Sequence, residues 1–203
     1  AFLPRFSPLN RLDPEAPMCM NMAVSPTYAM EMRYQLDRQM EGARQVIAEV
    51  DEAFGKAFGR SYGGLLDTYL MEDAEIALIT LGTATSTARV AVDELRAEGR
   101  KVGLIKLRFM RPFPHEELRE AVKGLRALGV FDRSVSFNRF GPVFTEVRSS
   151  LYGSGVPITD HIAGIGGRDL KVSTFRDMFA LLERSASGGR VRECTWHGLR
   201  GEM

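Results

Sequence analysis

Apolar and polar positions change their rhythm twice along this chain of 203 residues. Up to residue 25 the apolar side chains follow no period, and up to residue 59 they recur every three or four positions. From residue 73 onward, short apolar runs alternate with helical stretches. A spacing of three and four is typical of one helix face, and a continuous apolar run is typical of a strand buried on both faces. The pattern predicts an arm, a long helix and an α/β domain.

The arm covers residues 1–25. Five of the nine prolines lie within the first 26 residues, which predicts an extended conformation. Apolar side chains such as Phe2, Leu3, Phe6 and Met20 are numerous for a solvated linker. We therefore expect the arm to lie on a protein surface.

A long helix is predicted to begin at Ser25-Pro26, because a hydroxyl at the N-cap and a proline at the first helical position both favour a helix start. The helix ends at Gly59, and together with the connection that follows it forms the segment 26–72. Its apolar stripe consists of Met32, Leu36, Met40, Ala43, Ile47, Val50, Phe54 and Ala57. Such a helix is long for a domain of this size. It packs either on its own domain or across a contact with another domain or subunit.

Residues 73–185 are predicted to form a three-layer α/β/α domain with a mostly parallel sheet, because strands that alternate with helices imply right-handed crossovers. Strands are expected at residues 76–81, 102–107, 130–132 and 158–163. The first helix between them is expected to end at Gly99, the second to begin at Glu116 and end before Gly129, and the third to begin at Gly141-Pro142. A final helix is expected over residues 174–184, with Ser173 as its cap. The tail, residues 186–203, either adds an edge strand around Cys194 or docks on a partner.

Charge and cysteine content exclude several classes of protein. The 27 basic and 26 acidic residues are interspersed, so we expect no face that follows nucleic-acid phosphates. Cys19 and Cys194 are the two cysteines, whereas an iron–sulfur cluster needs about four thiolates. No run of about 18 apolar residues and no signal segment occurs, so no membrane partner and a cytoplasmic location are expected. Because the chain begins at Ala1 without a methionine, we expect it to be cut from a longer protein.

Loops that follow the predicted strands are the first places to look for a ligand site, because parallel sheets bind ligands at the carboxyl ends of their strands. Thr83 lies in a turn before a helix, where backbone N–H groups could bind an anion, although a hydroxyl cap explains the same residues. Gly166, Gly167 and Arg168 follow the last core strand, where glycines permit close backbone approach and the guanidinium could hold a phosphate or a carboxylate. These four residues are weak candidates for contacts with a cofactor.

Four residues are candidates for an interface. Arg111 and His115 flank two prolines that would fix their direction, and Arg168 and Asp169 could pair with each other or across an interface. His115 has no nucleophile or orienting partner beside it, which is more typical of an exposed loop histidine than of a catalytic base. We predict no catalytic residue and no metal-ligand set in this chain.

Several short motifs follow one another along the chain. In order they are LDP at 12–14, RYQ at 33–35, EDAEIAL at 72–78, GT at 82–83, VDELR at 92–96, GL at 103–104, RPFP at 111–114, DRSVSF at 132–137, GP at 141–142, TEVR at 145–148 and GIGGRD at 164–169. Each motif is weak alone, but their order and spacing are specific. In this respect the chain resembles the α subunit of 2-oxoacid:ferredoxin oxidoreductases, pyruvate synthase in particular.

The resemblance implies a transketolase carboxy-terminal-like fold that follows the amino-terminal thiamin-binding domain of the same subunit. Family members oxidatively decarboxylate a 2-oxoacid such as pyruvate to acyl-coenzyme A and reduce ferredoxin, using thiamin diphosphate, magnesium and iron–sulfur clusters. None of the family's catalytic residues matches a position here. We therefore expect a structural and assembly domain that is inactive alone and binds no cofactor. Its expected partners are the thiamin-binding domain, the β and other subunits and, through the complex, ferredoxin.

Two other functions stay open on the sequence. The apolar arm and the long helix could belong to a freestanding protein-interaction module. The turns at Thr83 and Gly166 could instead belong to a small phosphate- or nucleotide-binding α/β protein.

Overall fold

The computed structural model describes residues 3–18, 23–137 and 139–201. Its contacts divide the chain into two compact units, Ala1–Tyr62 and Gly63–Met203, which we call unit 1 and unit 2. Phe2, Cys19 and Met20, which entered the predictions above, lie outside the described residues.

Unit 1 contains one helix, α1 (Pro26–Phe58), in its described part. Ser25 precedes it in an extended conformation with Pro26 at the first position, which confirms the predicted start, although the Ser25 side chain makes no capping hydrogen bond. Gly59 ends the helix with a φ of 70°, and its N–H donates to the carbonyl of Gly55. No residue of α1 is buried, and residues 3–18 are exposed without helix or strand.

The sheet of unit 2 has six strands in the part of the chain that the structure describes. They are β1 (Leu66–Tyr69), β2 (Ile76–Leu81), β3 (Val102–Leu107), β4 (Ala127–Asp132), β5 (Ile158–Ile162) and β6 (Cys194–Trp196). The strand order is β1-β3-β2-β4-β5-β6. β1 is antiparallel to β3, and every other pairing is parallel.

Helices cover both faces of this sheet. They are α2 (Ala84–Ala97), α3 (His115–Ala121), α4 (Pro142–Ser150) and α5 (Val172–Ala186). The apolar faces of α2 and α5 form one buried cluster with the sheet, and those of α3 and α4 form another on the opposite side. The predicted three-layer α/β/α architecture is thus confirmed.

The predicted end of α3 and the predicted start of β4 are wrong. α3 ends at Ala121 rather than near Gly129, because the chain turns at Gly124 with a φ of 81°. Leu125 lies in that turn and is buried. β4 begins at Ala127, three residues earlier than predicted. Gly129 lies inside β4, where a Cβ atom would come within 2.8 Å of the Leu78 side chain.

The sheet also extends beyond residues 73–185. Residues 66–69, in the predicted connection, form β1, and the tail adds β6 as an edge strand, one of the two alternatives for Cys194. α5 begins at Val172, so that Lys171 occupies the cap position and Ser173 lies inside the helix rather than capping it.

Candidate functional site

The carboxyl ends of the parallel strands meet at one edge of the sheet. The chain leaves β2 through α2 on one face and leaves β4 through α4 on the other. Because β2 and β4 are neighbours and the chain departs from them to opposite faces, this is the switch point of the topology, which is where doubly wound sheets bind ligands. The loop at Gly82-Thr83 and the start of the segment after Asp132 lie at this point of the topology.

Thr83 is exposed at the start of α2. Its backbone is in the right-handed helical region, and its side chain makes no capping hydrogen bond. Below it, the hydroxyl groups of Thr80 and Thr85 lie 3.0 Å apart in the buried layer and hydrogen-bond to each other. Thr83 remains a candidate for a ligand contact, and Thr85 anchors the turn.

The glycine-rich turn after β5 is held by two arginines. Gly164, Gly166 and Gly167 all have a positive φ, between 68° and 81°, which explains glycine at these positions. Arg168 donates to the carbonyl of Gly198, and Arg133 donates to the carbonyl of Gly164 at 3.5 Å. The Arg168 guanidinium thus fastens the turn to the tail.

Arg111 and His115 contact one side of α4. Arg111 Nη2 donates to Glu146 Oε1 at 2.6 Å, and His115 Nδ1 lies 2.7 Å from Ser150 Oγ. Glu146 and Ser150 are one helical turn apart, so the two contacts fasten the loop before α3 and the first residue of α3 to α4. The structure brings these two predicted residues together, whereas Arg168 contacts the tail and Thr83 lies at the start of α2.

A pair of buried carboxyl groups at the start of α4 was not predicted. Asp132, at the end of β4, accepts from the N–H groups of Val143 at 3.4 Å and Phe144 at 3.0 Å. Asp160, in β5, accepts from the N–H of Gly141 at 2.9 Å, and its Oδ1 has no partner. The two carboxyl groups thus bind the first free N–H groups of α4, which a helix start leaves without intrahelical acceptors.

Burial changes the protonation of this cluster. It raises the pKa of Asp132 to about 6, and the neighbouring carboxyl of Asp160 acts in the same direction. Burial also raises the pKa of Asp160. The Cys194 thiol lies beside them, and burial together with Asp160 raises its pKa to about 11. Since this thiol is protonated at neutral pH, it is a poor nucleophile, and the cluster is suited to holding α4 rather than to covalent chemistry.

Two histidines form a second buried contact on the face that α5 covers. His161 Nδ1 lies 3.0 Å from His197 Nε2, and His161 Nε2 lies 3.0 Å from Thr159 Oγ1. Burial, with His197 as a further cause, lowers the pKa of His161 to about 3, so the ring is neutral near pH 7. Among the described residues, no group of three or more His, Cys, Asp or Glu side chains could hold a metal ion.

The sequence of unit 2 matches a known family. A model described as "Pyruvate:ferredoxin oxidoreductase core domain II" matches residues 74–175, which is half of the chain. The chain belongs to this family. The match contains β2 to β5 and most of the loops at the carboxyl edge of the sheet, and it confirms the resemblance drawn from the motifs.

Named relatives of the family match along the full chain. "Pyruvate synthase subunit PorA" of Methanothermobacter thermautotrophicus is 38% identical over 100% of this chain and 51% of its own length. "Ketoisovalerate oxidoreductase subunit VorA" of Pyrococcus horikoshii is 38% identical over 98% of this chain and 52% of its own. The chain therefore spans about half the length of the curated relatives it matches.

A solved structure is also similar. The 2-oxoglutarate:ferredoxin oxidoreductase from Magnetococcus marinus, with 2-oxoglutarate, coenzyme A and succinyl-CoA bound, has a TM-score of 0.46 and 15% identity. The likeness covers 66% of this chain and 21% of that chain.

In the chain itself, no described helix has the length and apolar character needed to cross a membrane.

Proposed function

We propose that this chain is the carboxy-terminal structural and assembly domain of the α subunit of a pyruvate (2-oxoacid):ferredoxin oxidoreductase. The parent enzyme would decarboxylate pyruvate oxidatively to acetyl-CoA, with ferredoxin as the electron acceptor. One observation carries the proposal: 38% identity over the full chain to a pyruvate synthase subunit of which the chain spans 51%.

The cofactors of the reaction belong, in this proposal, to other parts of the enzyme. An iron–sulfur cluster needs about four thiolates, and the two cysteines at positions 19 and 194 cannot supply them. No group of three or more described His, Cys, Asp or Glu side chains could hold a metal ion, which does not suit a magnesium site with a bound diphosphate. Thiamin diphosphate, magnesium, the clusters and coenzyme A are therefore assigned to the remaining segments and subunits.

The contacts of unit 2 support a scaffolding role. Arg111, His115 and Arg168 each hydrogen-bond within unit 2 and so fix loops at the carboxyl edge of the sheet. Together with the exposed Asp169 they are our candidate contacts for the thiamin-binding domain and the β subunit. Within unit 1, no residue of the α1 stripe is buried, and Leu36 and Val50 are 47% and 53% exposed. This stripe is a further candidate contact, and a cytoplasmic location is part of the proposal.

A chimeric subunit tests the proposal. In pyruvate synthase subunit PorA of Methanothermobacter thermautotrophicus, the half that matches this chain is replaced by the chain. We expect the chimera to assemble with its partner subunits and to reduce ferredoxin in the presence of pyruvate and coenzyme A. The subunit with the matching half deleted is the control and should be inactive. A folded chimera that fails to assemble would refute the proposal.

The same chimera tests whether the chain is a scaffold or a substrate-selecting part. Two of its relatives are named for different 2-oxoacids, and each is 38% identical to this chain. If the chain only supports the site, the ratio of kcat/KM for pyruvate to that for 2-oxoisovalerate should remain that of the unmodified pyruvate synthase. A shift of that ratio by more than about tenfold would assign substrate contacts to the chain.

A further inference from the structure

An open strand edge lies at one end of the sheet. β6 is the last strand in the order, and within the described residues its one pairing is with β5. The carbonyl of Glu193 accepts from β5 at 2.7 Å, and the N–H of His197 donates to β5 at 2.8 Å. Because the directions of backbone groups alternate along a strand, the N–H and C=O groups of Cys194 and Trp196 point away from the sheet. This edge can therefore pair with another extended chain.

Three arginines lie beside that edge. Arg184, Arg190 and Arg192 line a depression of about 680 Å³ together with Leu181 and Thr195. All three arginines are exposed. Within the part of the chain that the structure describes, no ion-pair partner lies within 4 Å of any of them. The depression thus concentrates three positive charges that the fold itself does not neutralise.

The depression and the edge face the same side. Thr195 is level with His161 in the ladder, so both side chains point to the face that α5 covers. Arg184 and Leu181 are residues of α5 on that face. Every second side chain of a strand added to β6 would therefore lie over the arginines.

We propose that the edge of β6 binds an extended acidic segment of a partner protein. The segment adds to the sheet as a further strand, and its backbone pairs with Cys194 and Trp196. Carboxylates at alternate positions of the segment pair with the planar guanidinium groups of Arg184, Arg190 and Arg192. A second copy of the chain is a poor occupant, because pairing two β6 edges would bring like charges together.

Peptide binding measured by fluorescence anisotropy tests the proposal on the full chain. The probe is a labelled peptide of alternating glutamate and threonine, and the control is a peptide of alternating glutamate and proline. The control has the same charge but lacks an N–H at every second position, so it can add to the edge only in the register that turns its prolines to solvent. We expect the first peptide to bind at least about tenfold more tightly. Equal binding of both peptides would overturn the strand-addition proposal, and so would no binding of either.

Variants separate the contribution of the arginines from that of net charge. The triple variant Arg184→Gln, Arg190→Gln, Arg192→Gln should weaken peptide binding by about tenfold or more. The matched control removes three positive charges from unit 1, through Arg5→Gln, Arg11→Gln and Arg33→Gln, and should not change the affinity. If both triple variants weaken binding equally, the proposed site is wrong.

The backbone edge has its own pair of variants. Trp196→Pro removes an outward N–H without removing a hydrogen bond to β5, whereas Trp196→Val keeps that N–H. The proline variant should bind the peptide more weakly than the valine variant, provided that both show the far-UV circular dichroism of the parent chain.

An oligothymidylate is the competing ligand. If it binds through the same arginines more tightly than the glutamate–threonine peptide, the site recognises nucleic acid and the proposal fails.

Discussion

At the scale of single residues, two buried groups change the stability of the fold with pH in opposite directions. The folded state raises the pKa of Asp132 to about 6 and lowers that of His161 to about 3, in both cases mainly through burial. Each group is therefore held in its uncharged form over a pH range in which the unfolded chain ionises it. Between roughly pH 4 and pH 6 the two contributions to stability have opposite slopes.

Asp132 makes the fold less stable as the pH rises. Below the unfolded pKa of about 4 the carboxyl is protonated in both states, and from there to about 6 only the unfolded state ionises. Asp132→Asn removes this penalty. We expect the free energy of unfolding of the variant, relative to the wild type, to improve by about 2 kcal/mol between pH 4 and pH 7. Urea unfolding at both pH values measures it, with the surface change Asp169→Asn as the control, and a pH-independent difference would contradict the assignment.

His161 acts in the other direction. Its ring is neutral in the folded state down to about pH 3, whereas the unfolded chain binds a proton below about 6.5. Stability from this group is present above pH 6.5 and is lost as the pH falls toward 3. His161→Gln should reduce the slope of stability against pH in this window, even though it lowers stability at neutral pH. NMR titration of the His161 ring provides a second measurement, and a ring that protonates near pH 6.5 in the folded chain would refute this reading.

At the scale of elements, position 141 between β4 and α4 requires glycine because there is no room for a side chain, and not because of its backbone angles. Its φ of −66° is open to any residue, but a Cβ atom would lie 2.0 Å from Asp132 Oδ2. Gly141→Ala should therefore displace the carboxylate from the start of α4 and destabilise unit 2 by about 1–3 kcal/mol. Gly42→Ala is the matched control, because a Cβ atom there meets nothing within 4 Å. Equal thermal shifts for the two variants would exclude a steric cause.

The elements that the sequence predicted correctly have strong local signals. β2 is a continuous apolar run, and α2 and α4 carry apolar side chains at helical spacing. β1 lacks such a signal, because an antiparallel edge strand of mixed polarity is only partly buried. α3 was predicted too long because Leu125 continues the helical spacing of its apolar residues, although Leu125 lies in the turn that follows the helix. The carboxyl pair depends on Asp132 and Asp160, which only the tertiary fold brings together, although a charged residue inside an apolar strand was a visible sign.

At the scale of the whole molecule, unit 2 contains all that its core needs. Both hydrophobic clusters and all six described strands lie within Gly63–Met203. A shortened chain of residues 63–203 should therefore unfold cooperatively, since its buried contacts are intact. The alternation of predicted strands and helices placed the start of the domain at residue 73, and a second chain of residues 73–203 compares the two boundaries directly.

The shorter chain should be clearly less stable. It lacks β1, which pairs along β3 from Leu66 to Tyr69, and it lacks Asp67, which accepts from Arg89 at 2.6 Å. Without β1, the backbone edge of β3 and part of its apolar face meet water. We expect the free energy of unfolding to fall by about 2 kcal/mol or more relative to residues 63–203, with more aggregation as the free edge finds other chains. Equal stability of the two chains would show that β1 is an accessory strand and that the domain begins at residue 73.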